Sequence, residues 1–181
     1  PTIAPNAAAR WDSLLPAASP WLHEEVARRM QERLEWMTMQ PQSWLHWEPW
    51  RGGLQAHALL TARYPKACSH VVHAHASHAK AASEVLTPSR WSLAHWSGPR
   101  VQWGEPEHPV QMLWANMALH MAADPQALLA QWHRLLEPKG FLMFSCLGPD
   151  TVRELRSLYA AQGWPPASHA FTDMHDWGDM L

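Results

Sequence analysis

No stretch of this chain is apolar for long enough to cross a membrane, and no basic segment followed by an apolar one opens it as a secretory leader would. Cysteine is nearly absent. Cys68 and Cys146 in 181 residues do not make the disulfide framework of a secreted domain, so a reducing cytoplasm is expected. Charge is sparse and balanced, 14 basic against 16 acidic residues, and nothing in it draws the chain to nucleic acid or to an anionic membrane. What remains is a globular composition, 47% hydrophobic and 17% charged, long enough for one domain with a core. Tryptophan and histidine are each used 13 times. Each indole carries one N–H that wants a partner when buried, so these rings are expected at crevices, interfaces and half-buried strand faces.

Residues 1–18 are rich in Ala and Pro and read as a loose lead-in, with one domain expected over 19–181. Ser19-Pro20 suits the start of a helix, Ser as N-cap and Pro in the first turn. Leu22, Val26, Met30, Leu34 and Met37 form its apolar stripe, and Glu24 and Glu25 precede Arg28 and Arg29 by four residues, the favourable order for ion pairs. Trp44–Trp47 reads as a strand, Arg51-Gly52-Gly53 as a turn and Leu54–Tyr64 as a helix stopped by Pro65. Ser69–His75 reads as a second strand and Ser77–Leu86 as a helix; either Trp91–Trp96 or Val101–Trp103 supplies a third strand. Val110–Trp114 is the fourth. Asp124-Pro125 caps a helix with the stripe Leu128, Leu129, Trp132, Leu135 and Leu136. Glu137-Pro138-Lys139-Gly140 fits a turn, Phe141–Cys146 a buried strand, and Thr151 to Glu154 a capping box. Strands alternating with helices predict an open α/β sheet, mostly parallel and flanked by helices, with ligands bound beyond the carboxyl ends of its strands.

Several of these segments carry a family likeness. Leu135 to Ser145, with its "L-x-P-x-G" turn, resembles the helix–turn–strand of class I S-adenosylmethionine-dependent methyltransferases. Gly148 to Leu155, Phe171 to Asp179, and Leu113 to His120 are similar to the malonyl-acyl-carrier-protein O-methyltransferases of biotin synthesis. The resemblance implies a Rossmann-like sheet holding S-adenosylmethionine. Its substrate would be the free carboxyl of a malonyl thioester on acyl carrier protein, or another small carboxylate. It also implies two further strands beyond Leu181. Without them the sheet has an open edge after its fifth strand, the expected surface for a homodimer.

The resemblance places the cofactor loop at Trp44 to Leu54, with an acidic residue and then a glycine-rich turn. His46 stands at the acidic position, Glu48 and Trp50 at glycine positions, and Gly52 at a retained one. Glycine serves there because the backbone approaches the ligand and φ turns positive. An indole at Trp50 is expected to fill cofactor space. The position that takes ribose hydroxyls holds His75, whose neutral ring has one acceptor. Asn116, just beyond the fourth strand, is expected to face the crevice. The cofactor-binding set read from the sequence is thus His46, Glu48, Trp50, Gly52, His75 and Asn116. It serves a methyltransferase or, if these departures abolish cofactor binding, a non-catalytic relative acting as a binding or assembly module. A third reading takes His73, His75 and His78 as zinc ligands, because residues 73 and 75 would share a strand face, but Ser77 holds the aspartate position of such motifs.

Overall fold

A computed structural model describes residues 3–87 and 101–181. Five strands form one sheet: β1 (Ser43–Trp47), β2 (Cys68–Val72), β3 (Val101–Trp103), β4 (Val110–Asn116) and β5 (Leu136–Ser145). Their order is β3-β2-β1-β4-β5, and every pairing is parallel. Leu45 stands opposite His70 on one side and Leu113 on the other. The chain builds outward from β1 to β3 and then returns to lay β4 on the other flank of β1. That reversal leaves a crevice beyond the carboxyl ends of β1 and β4, where ligands bind in open parallel sheets.

The helices are α1 (Pro5–Ser13), α2 (Trp21–Glu32), α3 (Pro49–Gly52), α4 (Gln55–Arg63), α5 (Ala76–Leu86), α6 (Pro125–Leu135), α7 (Arg153–Ala161) and α8 (Met174–Asp179). Strand side chains alternate between two apolar layers. On one face Trp44, Met112 and Trp114 pack with Ala27 and Met30 of α2 and with Ala56 and Leu60 of α4. On the other, Leu45, Trp47, Leu113 and Ala115 pack with Leu129 and Trp132 of α6 and Trp177 of α8. Cover on both faces is why β1 and β4 read as continuous apolar runs. Each fully buried Leu contributes about 1.5–3 kcal/mol, so these two layers hold the sheet.

Several local expectations change. The lead-in is structured: Pro5 and the run Ala7–Ala9 start α1, whose Ala8 is buried. Ser19 does not cap α2; its Oγ accepts from the Leu54 N–H at 3.2 Å. The α2 stripe is rotated, burying Ala27, Met30 and Leu34 while Leu22 and Met37 stay exposed, because the sheet lies on that side. Glu25 pairs with Arg28 and Arg29, whereas Glu24 turns away to accept from the N–H groups of Leu54 and Gln55 and so caps α4. The Glu137–Gly140 turn is absorbed into β5 as an irregularity, with Val110 opposite Leu136 but Met112 opposite Phe141. Thr151 makes no capping box, since Val152 holds the cap position without a side-chain bond. Of the two readings of the third strand, Val101–Trp103 is β3 and Trp91–Trp96 lies outside the described residues. Among the described residues β5 pairs with β4 alone, and no residue of α7 is buried. No helix among them is long and apolar enough to cross a membrane.

Candidate functional site

A cavity of about 230 Å³ lies in the crevice. One wall is apolar, with Trp47 at the end of β1, Met117 and Met121 between β4 and α6, and Leu128 of α6. The other is titratable, with Asp12 of α1, Glu48 and Arg51 after β1, and His75 and His78 at the start of α5. Small-molecule pockets usually measure ~300–1,000 Å³, so the space present takes only part of a nucleoside-sized ligand.

Both strands beside the crevice end in a left-handed residue that is not glycine, Glu48 at φ 50° and Met117 at φ 55°. Such backbone costs on the order of 1–3 kcal/mol and persists only where its surroundings enforce it. At Glu48 they do. One carboxylate oxygen accepts from the Ala74 N–H, and the other lies 3.6 Å from His78 Nδ1. His78 Nε2 donates to the Leu14 carbonyl at 2.9 Å. Among the described residues, neither that carboxylate oxygen nor His78 Nδ1 has a hydrogen-bond partner. Burial pushes the Glu48 carboxyl above its ordinary range, opposed by the Ala74 N–H and by His78.

Trp50 and Arg51 bind α1 and the link after it. Trp50 packs on Leu54 and Ala82, and its Nε1 donates to the Pro16 carbonyl at 3.2 Å. Arg51 donates to the Trp11 carbonyl at 2.7 Å, holds its guanidinium carbon 4.2 Å above the Trp11 ring, and lies 3.6 Å from the Asp12 carboxylate. Gly52 follows, where a Cβ would meet the Asn116 backbone oxygen at 2.8 Å. The Asn116 side chain is consumed internally. Its Nδ2 donates to the carbonyls of His23, at 2.8 Å, and of Gly52, while Oδ1 accepts from Ser145 Oγ at 2.5 Å.

No family profile matches the chain. A malonyl-[acyl-carrier protein] O-methyltransferase of Laribacter hongkongensis is 33% identical over 88% of this chain and 56% of its own length. One from Gallionella capsiferriformans is 34% identical over 91% of this chain and 58% of its own. This chain is a sequence relative of these O-methyltransferases. It spans a little over half of their length. A crystal structure of the plantazolicin methyltransferase BpumL, in complex with a pentazolic analog and SAH, superposes with a TM-score of 0.59 at 12% identity, over 97% of this chain and 67% of that one. That likeness establishes the class I methyltransferase fold expected from the sequence.

Within this methyltransferase relative the site residues read from sequence divide. Glu48, Gly52, His75 and Asn116 line the cavity. His46 does not. Side chains alternate along β1, so His46 points into the α2–α4 layer, fully buried and stacked on His57 with centroids 5.6 Å apart. Desolvation there holds the His46 ring well below its ordinary pKa and lowers His57 to about 4. Trp50 also leaves the cavity, so its indole is not the obstruction expected; Glu48 occupies the loop instead. Asn116 stays at the cavity, but its polar atoms tie α2, α3 and β5 together. The histidine trio does not assemble. His73 accepts from the Trp50 N–H at 3.3 Å and stacks on Trp103, and His78 turns to Leu14. Among the described residues no three His, Cys, Asp or Glu are placed to hold a metal. Sequence reasoning missed Trp11, Asp12 and Arg51. The signal for the first two was present in Pro5-Asn6-Ala7-Ala8-Ala9-Arg10, a good helix start misread as loose composition.

Proposed function

We propose that the crevice binds S-adenosylmethionine and that the domain belongs to a cytoplasmic methyltransferase acting on a carboxylate, of the kind carried as malonyl on acyl carrier protein in biotin synthesis. The observation that carries this reading is identity of 33% and 34% to two such enzymes across 88% and 91% of the chain. The crevice adds support. The apolar wall of Met117, Met121 and Leu128 suits a nucleobase, and His75 stands where polar groups of the ligand would lie. Glu48 resists the ligand, because its buried carboxylate fills the loop. When bound, S-adenosylmethionine would supply a sulfonium methyl; a carboxylate oxygen takes it, the C–S electron pair stays on sulfur, and no proton moves. The protein's part is then orientation and exclusion of water, which its apolar wall provides.

A second reading, a non-catalytic relative used as a binding module, is favoured by the Glu48 placement alone. Calorimetric titration with S-adenosylhomocysteine separates the two. Micromolar binding by the wild type supports the first reading. No heat at millimolar ligand from either the wild type or Glu48→Gly leaves only the second.

A further inference from the structure

Arg51 is built to receive a carboxylate. Its side chain is 12% exposed and lines the cavity. One face of the guanidinium rests on Trp11, which sets the plane of the fork. A guanidinium has five N–H donors. Among the described residues, its side chain makes one hydrogen bond, to the Trp11 carbonyl at 2.7 Å. The Asp12 carboxylate stands 3.6 Å away, outside hydrogen-bonding distance. Burial pushes the Asp12 carboxyl up from the ordinary range, against the pull of Arg51. A half-exposed carboxylate of the chain itself therefore stands beside the Arg51 guanidinium without a hydrogen bond to it.

We infer that Arg51 is the positioning residue for the substrate carboxylate, and that Asp12 is an internal occupant which the substrate displaces. This rests on the reading of a carboxylate substrate given above. Arg51 lies in α3, directly after β1, so a carboxylate on its fork would stand at the mouth of the crevice. A planar fork binds both oxygens in parallel and fixes the carboxylate plane, leaving lone pairs on its outer edge. Lysine would supply the charge without the plane. Trp50, anchored on Pro16, holds the turn that aims Arg51.

The test is calorimetric titration with malonate, and with uncharged dimethyl malonate as control, on the wild type, Asp12→Asn, Arg51→Lys and Arg51→Met, each shown to keep its thermal unfolding. The expected result is that malonate binds and its diester does not. Asp12→Asn tightens malonate about fivefold by removing the competitor, Arg51→Lys weakens it about tenfold, and Arg51→Met abolishes it. If Arg51 only tethers α1, Asp12→Asn weakens malonate or leaves it unchanged, and Arg51→Lys binds like the wild type. Either result overturns the inference, as does absence of heat from wild type and Asp12→Asn alike. The S-adenosylhomocysteine titration keeps the two proposals apart. Arg51-dependent malonate binding without S-adenosylhomocysteine binding retains this inference and removes the methyltransferase reading. S-adenosylhomocysteine binding with Arg51-independent malonate binding does the reverse.

Discussion

The two walls of the crevice are made of opposite materials. Met117, Met121 and Leu128 come from one continuous stretch that runs from the end of β4 into α6, and Leu128 packs on the core behind it. Asp12, Glu48, Arg51, His75 and His78 come from three separate segments and are placed by hydrogen bonds and charge. The apolar wall lowers the local dielectric and strengthens every interaction on the other wall. Glu48 is held there by the Ala74 N–H and Arg51 by the Trp11 carbonyl, with Asp12 3.6 Å from the guanidinium. A ligand must therefore exchange bonds on the titratable wall, whereas on the apolar wall it only displaces water.

Four measurements break or sharpen that contrast. The largest effect is pH. Burial lowers His57, His73 and His120 to about 4, and His46 also lies well below its ordinary value. Their folded pKa values lie below the unfolded one, so stability is full above pH ~6.5 and falls as pH drops towards 4, by up to ~1.4 kcal/mol per pH unit per histidine. Asp12 and Glu48, raised by burial, oppose this, since their contribution is largest at low pH and fades as pH rises through their folded values. Urea unfolding between pH 4 and 8 should show the histidine slope dominating; a flat profile would refute the buried neutral rings. Next is Asn116→Ala, which joins the walls. It strands the His23 and Gly52 carbonyls and should cost about 2–4 kcal/mol, read as a lower urea midpoint.

Third is the loop. Glu48→Gly removes a side chain from left-handed backbone and takes its carboxylate out of the cavity, and should tighten S-adenosylhomocysteine at least severalfold. Glu48→Gln can still accept from the Ala74 N–H, so it should keep the wild-type melting temperature. Destabilisation by Gln would show that the charge itself is required. The smallest effect compares two neighbouring acids behind the crevice. Glu24→Ala uncaps α4 and should cost about 1 kcal/mol. Glu25→Ala breaks exposed ion pairs and should leave the unfolding midpoint in place.

The contrast between the walls also explains what could be read in advance. The sheet and the α6 stripe that carries Leu128 were legible, because hydrophobic runs and the Asp124 cap are local signals, and Asp124 accepts from the Ala127 N–H as expected. On the titratable wall only residue identities were legible. His46 and Trp50 were assigned to the pocket by position along the chain, and strand alternation and the anchor on Pro16 turned both elsewhere. Glu24 and Glu25 look equivalent on a helix, and only the approach of α4 makes one a cap and the other a surface charge.

The sequence alone determined the alternation of strands and helices, the parallel two-layered core and the likeness to carboxyl methyltransferases, since each follows from periodicity, caps or contiguous motifs. Tertiary structure decided which charges share the crevice. Asp12, Arg51 and His78 lie far apart along the chain, and no local propensity encodes a meeting that depends on α1 folding back across the ends of β1 and β2.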